Sequence, residues 1–172
     1  MVRKIVTGIT PIMVDPTKPF DFTEEGSKDK AIALAKDLVE TMLHAPGIGL
    51  AANQIGEPYR VFAFCDLNNE EPQPPKVIFN PVYEGFSQNI VMLEEGCLSF
   101  PGLIANIGRP DTIKVKYQDV YGEEYISVVS GMNSRIWQHE IDHLDGILYF
   151  NRVPRISRDR ALKAWRKQNG FF

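Results

Sequence analysis

The segment "HEIDH", residues 139 to 143, constrains local structure more than any other part of this chain. In an α-helix, residues four apart are separated by ~40° around the axis and ~6 Å along it. His139 and His143 would therefore lie on one face and could reach the same small cation. Glu140 would be turned by ~100° from His139 and ~60° from His143, beside that cation, where a glutamate can take a proton from water. The spacing predicts a helix carrying either a metal site or an ordinary histidine pair.

The neighbours of this segment favour the metal site. Apolar residues surround the motif and indicate a largely buried helix: Ile136, Trp137, Ile141 and Leu144. Two buried imidazoles and a carboxylate need strong compensation, which a metal supplies. The alternative is a histidine pair satisfied by hydrogen bonds to protein groups or water.

A catalytic metal also needs a third protein ligand and an open position. In one zinc-peptidase pattern that ligand is a histidine at residue 149, where this chain has Tyr149. In another pattern it is a downstream glutamate, and no glutamate follows Glu140 in the chain. Asp159 is downstream but lies among arginines. Both peptidase patterns are therefore incomplete.

A second segment, "LEEGCLSFPG" at residues 93 to 102, supplies a candidate for the third ligand. Cys97 follows a predicted strand and is next to Gly96, which lets the backbone approach other groups closely. A thiolate with two imidazoles is a reasonable tetrahedral ligand set. The alternative for a free cysteine is packing as a small hydrophobe, which is our interpretation of Cys65 in "VFAFCDL".

A third segment, "GIGLAANQ" at residues 47 to 54, loosely matches a dinucleotide-binding fingerprint. That fingerprint requires a strand before the glycines, whereas here an amphipathic helix and Pro46 precede them, which excludes nucleotide binding. The small residues indicate backbone close to a ligand, and Gln54 can donate a hydrogen bond to an oxygen.

The order of the predicted elements indicates an α+β fold with antiparallel strands. Residues 1 to 22 are predicted to be extended and turn-rich, and no repeat or linker divides the chain, so residues 1–172 are predicted to form one domain. Helices are predicted at 27–44, 132–144 and 157–168, and strands at 60–66, 76–81, 88–95, 111–119 and 123–130, the last two as a hairpin.

Composition limits the compartment and the partners. The chain has 172 residues with 44% hydrophobic and 24% charged residues, which is ordinary for a globular protein. Two cysteines are too few for a disulfide framework, and neither a signal peptide nor a membrane-spanning run is expected, so a cytoplasmic location is predicted. Residues 152–167 hold seven basic residues against Asp159, a local +6, so the rest of the chain carries −9 of the net charge of −3.

Together, "GIGLAANQ", "EGCLS" and "HEIDHLDG" resemble the three ordered motifs of the peptide deformylases, over residues 25 to 150. The resemblance implies antiparallel sheets packed around a central metal-binding helix, with an N-terminal helix and a short C-terminal helix. It also implies hydrolysis of the N-formyl group of formyl-methionine on new polypeptides, with release of formate. Two other functions stay open at this point: a zinc peptidase of unfamiliar type, and a metal-bearing binding module without catalysis.

The resemblance assigns roles by motif position. Cys97, His139 and His143 would hold one divalent metal, with Fe²⁺ expected in the cell and Zn²⁺, Ni²⁺ or Co²⁺ as possible replacements. Glu140 would carry the proton, and the Gln54 amide and the Leu98 backbone N–H would stabilise the formyl oxygen.

The same comparison by position implies a substrate pocket formed by Ile48, Gly49, Glu95, Gly96 and Ile136. Arg109 would be a buried ion-pair partner of Glu95 and Asp142. The chain departs from the family at Ile104, where some members have an arginine that contacts the substrate backbone.

The expected partners are N-formylmethionyl nascent peptides, and the protein is expected to be a monomer. The basic segment is predicted to form a helix capped by Ser157, with Ala161, Leu162 and Trp165 on its apolar side. Its outward arginines and lysines predict docking on ribosomal RNA, and a solvated charged face is the alternative.

Overall fold

A computed structural model describes residues 1–68 and 71–170 of the chain. Within these residues it contains α1 (Pro11–Val14), α2 (Ser27–His44), α3 (Gly131–Leu144) and α4 (Arg155–Gln168), with short 3₁₀ turns at Ala52–Ile55 and Tyr149–Arg152. None of the helices in the described ranges is long and apolar enough to cross a membrane. The helix predicted at 27–44 is confirmed, and the one predicted at 132–144 is confirmed with a start one residue earlier.

The strands of the described residues form two antiparallel sheets. The larger sheet has the order β1-β2-β3-β6-β7 and the smaller one pairs β4 with β5. Their bounds are β1 (Gly49–Ala51), β2 (Val61–Phe64), β3 (Lys76–Phe86), β4 (Ile90–Cys97), β5 (Phe100–Pro110), β6 (Thr112–Gln118) and β7 (Glu124–Ser130). The predicted β6–β7 hairpin is confirmed, since the two strands pair in continuous register.

Helix α3 lies between the two sheets. Every residue from position 133 to position 144 is buried. On the side of the large sheet, the Trp137 ring packs edge-on against Phe62 and Phe64, each at a centroid distance of 5.4 Å. Burial of each such side chain contributes about 1.5–3 kcal/mol. The α+β class and the central position of this helix are therefore as predicted.

The main difference from the sequence prediction is β5, an 11-residue strand in a part of the chain where no strand was predicted. Its inward residues alternate along the strand, namely Leu103, Ala105, Ile107 and Arg109. Proline, two glycines and a buried arginine interrupt the apolar pattern, so the period of two is hard to read from the sequence. Pairing with β4 along nearly its whole length stabilises the strand.

Helix α4 begins at Arg155, two residues before the predicted start, and Ser157 lies inside its first turn. The predicted cap by Ser157 is therefore wrong. Pro154 occupies the capping position with φ −53°, a value that suits entry into a helix. The predicted apolar side is confirmed: Ala161, Leu162 and Trp165 pack in a cluster with Phe100, and Trp165 Nε1 donates to the Pro101 carbonyl at 2.8 Å.

Candidate metal centre and active site

Three side chains predicted as metal ligands come together between α3 and the β4–β5 hairpin. Cys97 ends β4 and faces Phe100 across a tight turn. His139 and His143 project from one face of α3, with ring centroids 5.0 Å apart. One ligand atom from each of the three residues lies within 4.8 Å of the others, and Cys97 Sγ is 3.2 Å from His143 Nε2. The helical spacing and the hairpin turn therefore produce one candidate ligand cluster.

This donor set fits a divalent transition metal. One sulfur and two imidazole nitrogens form a common three-ligand set with room for a fourth position. His139 Nδ1 is 2.9 Å from Glu95 Oε2, an outer hydrogen bond that typically orients a metal-binding imidazole. Without a metal, burial lowers the pKa of His139, but hydrogen bonds to Cys97 and Glu95 outweigh it and raise the pKa to about 10. Without a metal, the cluster therefore holds a proton on His139, which a bound metal would have to displace.

His143 is buried in the neutral form that a metal ligand requires. Burial, together with the positive charges of His139 and Arg109, holds its pKa well below the usual range. At the C-terminal end of α3, Asn53 Nδ2 donates to the His143 carbonyl at 2.7 Å. Asn53 therefore ties the first motif to the third.

Glu140 is buried beside the ligand cluster with a free oxygen. Only 4% of the residue is exposed, and its Oε2 has no hydrogen-bond partner among the described residues. Burial raises the pKa of Glu140 to about 7, and the charges of Glu95 and Asp142 add to that rise. A carboxyl group with these properties can both accept and return a proton near neutral pH.

Gln54 is oriented toward the same site. Its Oε1 accepts a hydrogen bond from the Ala51 N–H at 2.8 Å, which fixes the amide group. Its Nε2 is then 3.1 Å from Ser99 Oγ and 3.4 Å from Cys97 Sγ. Leu98, between these two residues in the hairpin turn, is partly buried against the core. Ser99 was not singled out from the sequence, where only its position next to "GCL" could have indicated it.

An ion-pair network built around Arg109 supports the candidate metal centre. Arg109 is 2% exposed and donates to Glu95 at 2.5 and 2.9 Å and to Asp142 at 2.8 Å. Arg135 donates to Glu95 at 2.7 Å, and Arg152 donates to Asp142 at 2.6 Å. The contacts of Arg109 are those that the family comparison implied. Arg135 was not identified from the sequence, although it lies one helical turn before His139.

A cavity of about 500 Å³ opens beside this centre. It is lined by all five residues predicted to bind substrate, which are Ile48, Gly49, Glu95, Gly96 and Ile136, and also by Gln54, Leu98, His139 and Glu140. The Glu95 carboxylate is fully engaged with two arginines and His139. Any contact between Glu95 and a substrate would therefore come from its backbone.

The fold and the site together define a class of protein. It is an α+β protein with two histidines and one cysteine as candidate metal ligands and a buried glutamate beside them, a set of groups typical of metal-dependent hydrolases. The sequence profile of the polypeptide deformylase family matches residues 2–159. A peptide deformylase of Brucella suis is 36% identical over 166 residues, which cover 96% of this chain and 93% of that protein.

Solved structures agree with the sequence match. The peptide deformylase of Thermus thermophilus superposes with a TM-score of 0.85 at 40% identity, covering 97% of this chain and 95% of that one. A Met-Ala-Ser-bound class I type b peptide deformylase from Acinetobacter baumannii superposes with a TM-score of 0.82 at 32% identity, covering 89% of this chain and 99% of that one. The chain belongs to the peptide deformylase family.

Proposed function

We propose that this chain removes the formyl group from the N-terminal formyl-methionine of newly synthesised polypeptides and releases formate, as its family does. The observation that carries the proposal is the ligand cluster with Glu140 beside it, in a chain matched by the family along most of its length. We further propose that residues 1–172 act as one catalytic domain. A divalent metal held by Cys97, His139 and His143 would activate water and polarise the formyl oxygen.

Glu140 is proposed as the group that moves the proton. Its unpartnered Oε2 would take a proton from the attacking water and then deliver it to the departing amine. Burial keeps bulk water from competing for this oxygen. The carboxyl group can serve both steps because its pKa is raised to about 7, primarily by burial.

Gln54 and Leu98 are proposed to stabilise the negative charge that develops on the formyl oxygen. The fixed Gln54 amide supplies one N–H, and the Leu98 backbone supplies the other. One such donor typically contributes about 10²–10³ in rate. Preference for formyl over larger acyl groups would follow from the narrow space at Gly49, whose backbone lies against Glu140 and Ile136.

The methionine side chain is proposed to occupy the cavity between Ile48 and Ile136. The backbone of Gly49 and Gly96 would pair with the extended peptide as an added strand. The relative from Acinetobacter baumannii is described with Met-Ala-Ser bound, which supports a peptide as the class of ligand. N-formylmethionyl nascent chains are thus the proposed partners of a monomeric enzyme.

The test of this function compares formyl-Met-Ala with acetyl-Met-Ala and with unblocked longer peptides. We expect rapid formate release from the formyl peptide and little turnover of the others. Internal cleavage of the longer peptide would instead identify a zinc peptidase, and binding without any turnover would identify a noncatalytic module. The assay is run anaerobically with Fe²⁺, because we propose ferrous iron as the cellular metal and both iron and a thiolate are sensitive to oxygen. Zn²⁺, Ni²⁺ and Co²⁺ are the proposed substitutes.

Cys97→Ser is expected to weaken metal retention or to change the preferred metal. A hydroxyl group is a harder ligand than a thiol and ionises less readily. The measurement is metal content per protein after gel filtration, for Fe²⁺, Zn²⁺ and Ni²⁺ separately. Cys65→Ser is the control, because Cys65 packs beside the core and is remote in sequence from the ligand motif. Metal content as high in Cys97→Ser as in wild type would remove Cys97 from the ligand set.

Gly49→Ala is expected to keep the metal but to reduce kcat/KM by about 100-fold, the typical result of displacing a reacting group by about 1 Å. A Cβ atom at Gly49 would overlap Glu140 Oε1 and come within 3.0 Å of Glu140 Cδ and 3.1 Å of Ile136 Cγ2. Gly85→Ala is the control, since its nearest neighbour would be 3.9 Å away. Formate release by Gly49→Ala at the rate of the control would mean that Glu140 tolerates displacement.

We also propose that α4 docks the enzyme on ribosomal RNA in the cytoplasm. Its apolar side packs into the core, so its basic side chains face outward. Free thiols fit a reducing compartment. Binding to phosphates should weaken steeply with salt.

For this docking, we expect wild-type protein to cosediment with ribosomes at low salt. Cosedimentation should be abolished when four basic residues of α4 are replaced by alanine, namely Arg158, Arg160, Arg166 and Lys167. The control variant Lys114→Ala/Lys116→Ala, on the exposed sheet, should still cosediment. Equal pelleting of the α4 variant and wild type, or no pelleting at low salt, would contradict the proposal. Formate release from formyl-Met-Ala should stay unchanged in both variants, which separates docking from catalysis.

A further inference from the structure

The outer face of the β4–β5 hairpin carries exposed apolar side chains. Met92 and Ile90 of β4 are 56% and 54% exposed. They lie over Gly108 of β5, because a Cβ atom at Gly108 would be 2.8 Å from Met92 Sδ and 3.1 Å from Ile90 Cγ2. Apolar side chains of β4 thus cover a glycine of β5 and remain exposed themselves. Exposed patches of this kind mark contact sites for other molecules.

This surface is continuous with the active-site cavity. Along β4, alternate residues share a face, so Glu94 points the same way as Met92 and Ile90. Ile104 of β5 is 54% exposed and lies over Gly96, with Cδ1 3.0 Å from an added Cβ. Gly96, Glu94 and Ile104 also line the cavity. We call the stretch formed by Ile104, Glu94, Met92 and Ile90 the outer track.

We infer that the outer track binds the extended segment of the substrate chain that follows the residues held in the cavity. This inference rests on the proposed function, in which the N-terminus of a long polypeptide enters the cavity and the rest must leave across its rim. An extended chain advances about 3.3 Å per residue, so the four-residue step from Gly96 to Met92 spans about 13 Å. Two substrate side chains about four residues apart would contact Ile104 and Met92.

The outer track should discriminate among substrates through contacts with their side chains rather than with their backbone. Arg135 Nη2 donates to the Val91 carbonyl at 2.6 Å, which occupies part of the backbone of β4. Apolar substrate residues would cover Met92 and Ile90. A polar or basic residue would suit the position between them and Ile104, where Glu94 pairs with Asn106 across the strands.

The experiment measures kcat/KM for formyl-Met-Ala-Ser and for nine-residue formyl peptides that continue it with serines. One leucine is placed in turn at each position from the fourth to the ninth. We expect at least one position to raise kcat/KM about five- to tenfold over the all-serine peptide of equal length, mainly through a lower KM. The Met92→Gln/Ile90→Gln variant should lose this gain and keep its rate on formyl-Met-Ala-Ser.

The matched control is Ile126→Gln/Val128→Gln on β7, whose side chains are 57% and 70% exposed on the other sheet. This variant should retain the leucine gain. The inference is wrong if no position gives a gain, if the track variant keeps it, or if the control loses it equally. It is also wrong if sedimentation shows a dimer that the track variant abolishes while the leucine gain is unaffected, because a second copy would then occupy the face.

Failure of the proposed function would look different, since formyl-Met-Ala-Ser itself would not be hydrolysed. In that case the same peptides are tested by fluorescence anisotropy with the wild-type and track-variant proteins. A five- to tenfold tighter Kd for the leucine peptide, lost in the track variant, supports the track without turnover. Equal Kd values for leucine and serine peptides overturn it.

Discussion

Glu140→Gln is expected to retain the metal. Its turnover rate should fall by about 10²- to 10⁴-fold, which is the range that general acid–base catalysis typically contributes. The ligands Cys97, His139 and His143 are untouched by this change. The amide has nearly the shape of the carboxyl group, and Oε2 makes no hydrogen bond within the described residues, so folding should be preserved. Only the capacity to accept and return the proton is lost.

Metal content and formate release are measured on the same Glu140→Gln preparation. Glu124→Gln is the control for loss of one negative charge, since Glu124 is 59% exposed in β7, outside the cavity. Normal metal content with greatly reduced formate release is the expected pair of results. A Glu140→Gln rate near that of Glu124→Gln would mean that another group moves the proton.

Sequence information was sufficient for α3 and for the grouping of its two histidines on one face because the relevant spacing is local. His139, Glu140 and His143 fall within one turn, and helix geometry alone fixes their relative directions. Burial of the same helix could be read from Trp137 and Ile141. The apolar side of α4 was predictable in the same way, although its start at Arg155 was not, because Ser157 gave a competing capping signal.

The features that could not be predicted from the sequence depend on contacts between segments that are distant along the chain. Strand β5 forms because 11 residues containing proline and glycines pair with β4, and that pairing is invisible to a local pattern. The three-residue β1 is held by β2 and was predicted only as backbone close to a ligand. Glu95 was predicted to line the substrate pocket and to pair with Arg109, whereas its contacts with His139 and Arg135 were not predicted. The partners of a buried carboxylate follow from the assembled fold, so neighbouring residues give little indication of them.

The Arg109 network leads to the second large effect, on stability. Arg109→Met is expected to lower the free energy of unfolding by about 3–5 kcal/mol, because it leaves buried carboxylates without their shared cation. Glu95 still accepts from Arg135, and Asp142 still accepts from Arg152, so the lower end of that range is expected. Lys114→Met is the control: its ion pair with Glu84 is 3.1 Å long but Lys114 is 52% exposed, and such pairs contribute about 0–1 kcal/mol.

Urea unfolding of both variants, with the metal removed by a chelator, measures these losses without a contribution from metal binding. The pH dependence of these losses in the free energy of unfolding gives an independent check. Burial raises the pKa of Glu95, but the hydrogen bonds and charges of Arg109 and His139 together outweigh it and hold the pKa well below the usual range. Ionised Glu95 therefore stabilises wild type above the unfolded-state pKa, and this contribution is lost as the pH falls toward the folded-state value. Arg109→Met lacks the part of that contribution that Arg109 supplies, so its deficit should stay nearly constant between about pH 7 and 5 and should shrink as the pH is lowered through the unfolded-state pKa of about 4.3, from about pH 5 to 3. A deficit that does not shrink over this lower range, or one no larger than that of Lys114→Met, would show that Arg109 stabilises by packing rather than by charge.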